Sequence, residues 1–116
     1  MAVSTEYLEF ILSQLTLTRI GPITARRMFG GAGLYCHRDF FAVIDNDTLY
    51  FKVDDINRQD FTAVGMEPFR PYGDTGYAMQ YYEVPLDILE DGELLRDWAL
   101  NAIGVARRKP RRTPRR

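Results

Sequence analysis

Apolar residues recur at helical spacing near the start of the chain: Leu8, Ile11, Leu12 and Leu15 fall at i, i+3, i+4 and i+7, one face of a helix. Ser4 stands where an N-cap is wanted, and Glu6 lies in the first turn, where the helix dipole favours an acid. Gly21-Pro22 ends this helix and turns the chain. From Ile23 to Val53 the pattern shortens to strand-like runs, TARRMFGGAGLYC, DFFAVID and TLYFKV, connected at HRD and DND. Asp and Asn tolerate the left-handed backbone of tight turns, so the pattern predicts three antiparallel strands in a meander. In TLYFKV, Leu49, Phe51 and Val53 alternate with Tyr50 and Lys52, which predicts one buried face and one partly wet face.

Asp54 or Asp55 can cap a second helix, INRQDFTAV, anchored by Phe61 and Val64 and stopped at Gly65. MEPFRPYGDTG, with two prolines and two glycines, reads as an extended edge segment and loop, and YAMQYYEV as a further strand ended by Pro85. Asp87 to Glu90 fits a single turn. Beyond Asp91-Gly92, Leu94, Leu95, Trp98, Ala99, Ala102, Ile103 and Ala106 trace a wide apolar stripe, with Trp98 at its centre and expected against the sheet. Pro110 must stop this last helix. The expected fold is α+β: an antiparallel sheet, a meander plus a further strand, flanked by N-terminal, middle and C-terminal helices. The expected organisation is a folded domain over residues 1–106 and a basic, disordered tail over 107–116.

Charge changes this picture. The net value of −1 combines a tail, RRKPRRTPRR, with seven positive charges and no acid, and residues 1–106, whose eight basic residues face 16 acids for a net of −8. Such an arm is suited to phosphates without reading sequence. The candidate nucleic-acid contacts are therefore Arg107, Arg108, Lys109, Arg111, Arg112, Arg115 and Arg116. A lone Cys36 makes no internal disulfide, the N-terminus lacks the charge pattern of a signal peptide, and no apolar run has the length of a membrane span, so the expected compartment is the cytoplasm.

The stretch RRMFGGAGLY invites a phosphate-loop reading. A Walker loop needs GxxxxGK and then Ser or Thr, a dinucleotide loop needs GxGxxG between strand and helix, and neither is present. The glycines are expected to bend a strand or to admit a close neighbour. Cys36-His37 does not read as a catalytic dyad, because strand neighbours point to opposite faces, and no further Cys or His completes a metal site. Cys36 reads as a small buried hydrophobe and His37 as a solvated turn residue. The paired acids fall where turns and caps want them. Tyr50, Tyr72, Tyr77, Tyr81 and Tyr82 form an aromatic set fit for base stacking, core packing or a dimer interface. Arg26, Arg27, Tyr35, Tyr50 and Lys52 are the candidates for contacting a partner or ligand.

Taken in order, MFGGAGLY, FFAVIDNDTLYFKVD, F-x-x-x-G-x-x-PF, MQYYEVP and LEDGELLRDWA resemble the N-terminal domain of the TfoX/Sxy family of bacterial competence regulators. The resemblance covers roughly residues 5–107. It implies an α+β domain without known catalytic residues, acting in the expression of genes for DNA uptake. The leading expectation is a non-enzymatic cytoplasmic regulatory module that binds a protein partner and needs no cofactor or metal; a homodimer through the sheet or the strand YAMQYYEV would bury the aromatic set. The alternatives are a nucleic-acid-associated protein working through its tail and a small-ligand-binding domain.

Overall fold

The computed structural model describes residues 4–28, 30–70 and 80–108. Helix α1 spans Thr5–Leu17, and the Ser4 hydroxyl accepts a hydrogen bond from the Tyr7 amide at 3.1 Å. Its expected face is the one that packs: Ile11 and Leu15 are fully buried, with Leu8 and Leu12 at the margin of the core. Arg19 at φ 60° and Gly21 at φ 130° redirect the chain after the helix. The Arg96 guanidinium donates to the carbonyls of Thr18 and Arg19, at 2.5 and 3.2 Å, and pins this exit.

Five strands follow, β1 (Ile23–Met28), β2 (Gly31–Cys36), β3 (Asp39–Asp45), β4 (Thr48–Lys52) and β5 (Tyr81–Glu83), in the spatial order β1-β2-β3-β4-β5 with every pair antiparallel. The run TARRMFGGAGLYC is therefore two strands rather than one bent strand. Gly30, at φ 80°, supplies a backbone geometry that closes the hairpin between them and that side chains disfavour. Gly31 and Gly33 serve close approach: a Cβ on Gly31 would fall on the Ile44 carbonyl oxygen, and one on Gly33 would lie 2.7 Å from Phe40 and 2.8 Å from Met28. The β3–β4 turn places Asn46 and Asp47 at φ 53° and 52°, the pair of left-handed residues a two-residue hairpin wants. A register shift opposite Leu34/Tyr35 turns Phe41 as well as Ala42 into the core, while Phe40 pairs with Tyr35 on the other face.

Helix α2 is shorter than expected, Arg58–Thr62, and its N-cap position is Asn57 rather than Asp54 or Asp55. Asp54 instead accepts from the Ile56 amide, while the buried Asn57 side chain accepts from the Asp54 amide and donates to the Lys52 carbonyl. These bonds offer residues 54–57 a turn in place of a helical start. Gly65, at φ 81°, stops the helix as expected. The chain then runs beside β5: the Phe69 amide donates to Tyr81, Glu83 donates to Glu67, and Pro68 bridges Tyr82. Of the expected strand YAMQYYEV, residues 77–79 lie outside the described residues, as does Tyr72.

Helix α3 spans Leu86–Leu89, and α4 spans Gly92–Arg107 with the Asp91 carboxylate accepting from the Glu93 and Leu94 amides. The buried centre of α4 is Leu95, Ala99, Ala102 and Ile103, whose small alanines let the helix lie close to β3 and β4. Trp98 is not at that centre. It is half-buried at the margin, edge-on to Phe61 with ring centroids 4.6 Å apart. The helix also runs one residue past the expected domain boundary at 106, because Arg107 and Arg108 find carboxylates on the body. Among the described residues no helix is long and apolar enough to cross a membrane.

Candidate functional site

Register divides the sheet into two faces. One carries Ala32, Leu34, Ile44, Leu49 and Phe51 into the core shared with α1 and α4. The other carries the residues paired across Arg26↔Gly33↔Val43↔Tyr50↔Glu83, together with Tyr35↔Phe40 and Lys52↔Tyr81. Four of the five sequence candidates, Arg26, Tyr35, Tyr50 and Lys52, thus share the face turned away from that core. Arg27 pairs with Ala32 and belongs to the opposite face.

Two of the four, Tyr35 and Lys52, converge on Phe40. Tyr35 stacks on Phe40 at 4.9 Å, Phe40 tilts against Tyr81 at 6.1 Å, and the Lys52 ammonium lies 5.8 Å from both the Phe40 and Tyr81 ring centres. A cation over two ring faces is attracted by their quadrupoles. Tyr50 sits apart, across Val43, and packs on Phe69 at 4.6 Å. Arg26 is exposed on the edge strand. Tyr81 was named in the aromatic set, whereas Phe40 was not singled out, because its face depends on the register shift at Phe41.

Two phenols of this face are held neutral. Burial, helped by the neighbouring Tyr35, pushes the Tyr81 phenol up to about 12. Burial first, then Glu83 and Asp45, raise Tyr50. Cys36 is buried, and that burial raises its thiol against the opposing pull of Arg107. A protonated thiol is a poor nucleophile. His37, at φ 59° in the β2–β3 turn, is exposed. Among the described residues no group of three or more His, Cys, Asp or Glu is placed to hold a metal ion. A depression of about 320 Å³ follows α1 along Glu9, Leu12, Ser13, Thr16 and Leu17, and none of the candidate residues lines it.

Of the seven tail cations, the structure describes two. Arg107 donates to Asp39 at 2.8 Å, and Arg108 makes a two-nitrogen contact to Asp54 at 3.1 and 3.3 Å. Burial alone would raise the Asp54 carboxyl, but bonds from Arg108 and the Ile56 amide hold it below its ordinary range. Both arginines act within the body, as fasteners between the end of α4 and the sheet. Lys109, Arg111, Arg112, Arg115 and Arg116 lie outside the described residues.

Charge is also distributed unevenly within the body, which its net charge of −8 does not show. Residues 10–38 contain four arginines, Arg19, Arg26, Arg27 and Arg38, and no acid. Folding adds Arg96, bonded at the Thr18-Arg19 exit, and sets Arg38 in the turn at the end of the sheet where β1 begins. The legible signal was the gap between Glu9 and Asp39, hidden by the acidic total.

A family model described as the TfoX N-terminal domain matches residues 15–106. The match takes in all five strands, α2, α3 and nearly all of α4. No curated protein matches the chain.

Proposed function

The chain belongs to the TfoX N-terminal domain family, and from that premise we propose that it is a non-enzymatic, cytoplasmic regulatory module that binds a protein partner in controlling bacterial competence genes. The observation that carries this reading is the family match over residues 15–106, a family associated with competence regulation. The chemistry of the open sheet face supports it. Phenols kept protonated near neutrality and a lysine laid over aromatic rings suit the holding of a partner better than the transfer of protons.

The test is genetic. Deleting the gene from its host should lower the transcripts of DNA-uptake genes and the frequency of transformation, and re-expression of the chain should restore both. Unchanged transcripts under competence-inducing conditions would overturn the reading.

A second reading is favoured by the five cations and no acid of residues 109–116: non-specific binding of nucleic acid by that segment. If all five cations reach phosphates of duplex DNA, log K should fall with log salt at a slope of about −4.5. A slope near zero would exclude it.

A further inference from the structure

The two edges of the sheet differ in what satisfies their backbone. Beside β5, Glu67, Pro68 and Phe69 already occupy the outer position. Beside β1, no described residue other than those of β2 bonds the main chain of Ile23–Met28. The strand is six residues long, pairs with β2 without a register shift, and contains no proline. Thr24, Arg26 and Arg27 are exposed. An open edge of this length is a template for another strand, which would gain main-chain bonds along its whole length.

The side chains say which strand fits. Arg26 and Arg27 are consecutive, so they project to opposite faces of the sheet. A strand added at β1 would meet one guanidinium on each face and would complement them with two consecutive acids of its own. Arg19 and Arg38 lie towards the end of the sheet where β1 begins and, with Arg26 and Arg27, belong to residues 10–38, which contain no acid, so the local field favours an acidic approach although the body is acidic in total. A second copy fits poorly, since antiparallel β1–β1 pairing brings the two Arg26-Arg27 pairs together. Nucleic acid is also a poor complement, because a phosphodiester offers acceptors but no donors for the strand's carbonyls.

We propose that β1 is the docking edge for an acidic, extended segment of the protein partner, which adds as a strand and places adjacent carboxylates on Arg26 and Arg27. This rests on the reading that the domain works through a protein partner.

The experiment is a titration of the full ¹⁵N-labelled chain with a short blocked peptide of alternating valine and threonine around a central Asp-Glu. Controls are its Lys-Lys counterpart and the acidic peptide N-methylated at alternate amides. The acidic peptide should perturb the amides of Ile23–Met28 saturably. Its affinity should drop about tenfold or more on N-methylation or in an Arg26→Glu/Arg27→Glu double variant of unchanged melting temperature. The reversed variant should prefer the Lys-Lys peptide. Perturbation confined to another surface, no saturable response, a concentration-dependent dimer through β1, or displacement of the peptide by a DNA duplex would each overturn the proposal. In the host, a double variant that sustains uptake-gene transcripts where the deletion does not would sink the edge and leave the functional reading standing. Peptide capture with transcripts insensitive to deletion would do the reverse.

Discussion

The two edges of one sheet answer the same hazard in opposite ways. At β5 the chain covers its own edge with residues 67–69 and sets Pro68 in the outer strand, where it has no N–H to offer a newcomer. That side is also tied into the core, since Tyr82 leans on Phe61 and Phe61 on Trp98. At β1 no described residue covers the edge, Arg26 and Arg27 stand exposed on it, and its inward residues Ile23 and Ala25 are only half-buried. The difference teaches that one edge is part of the fold's stability and the other is nearly independent of it. A surface that costs little to leave unpaired is one that a partner can occupy without unfolding anything.

The largest expected effect lies on the covered side. Phe61 is 1% exposed and joins α2, β5 and α4, so Phe61→Ala should cost about 3–5 kcal/mol in a urea titration. It should also shift Trp98 emission to the red. A loss below about 1 kcal/mol would break the contrast between the edges.

Next comes Tyr81 on β5. Its phenol is raised from 10.0 to about 12 in the folded chain, so the unfolded chain releases this proton first. The associated stability is present below pH 10 and is lost as pH rises towards 12, by at most about 2–3 kcal/mol. Tyr81→Phe should flatten that part of the stability profile. An identical alkaline decline in the variant would contradict the burial described.

Gly31→Ala tests the register beside the open edge. The added Cβ meets the Ile44 carbonyl, which is backbone and cannot swing away, whereas at Gly33 it meets the movable ends of Phe40 and Met28. Gly31→Ala should therefore cost roughly 1–3 kcal/mol and exceed Gly33→Ala. The opposite order in thermal melts would reject the β2–β3 pairing.

The smallest effect is at the end of α4. Arg108→Ala should cost about 0.2–1 kcal/mol, because the pair with Asp54 is partly exposed. Asp54 is held below its ordinary 3.8, so its contribution is present above that pH and is lost as pH falls through the folded value. Wild type and variant should converge in acid. A difference that does not shrink as pH falls below 3.8 would assign the effect to packing.

The elements were legible where one local signal decided them. Ser4, the period of Leu8 to Leu15, Gly65 and Asp91 marked starts, faces and stops that the fold retains. The β1–β2 hairpin was hidden because glycines that turn a chain look the same as glycines that admit a neighbour. Trp98 was misplaced because a wide stripe does not show which residue faces the sheet, and two alanines took the closest approach. Four of five candidates fell on one face because alternation in β4 and register with β2 are regular. Phe40 escaped notice because a one-residue shift at Phe41 decides the partner of Tyr35. The basic side of β1 escaped because charge was counted over the body rather than along it.

Native-state hydrogen exchange at the two edges, with and without the acidic peptide, tests the central claim most directly. In the free chain the outward amides of β1 should exchange orders of magnitude faster than those of Phe69 and Glu83, which are bonded to Tyr81 and Glu67. The peptide should slow the β1 amides alone. Equal protection at both edges in the free chain, or a peptide that leaves Ile23–Met28 exchanging as before, would contradict the account.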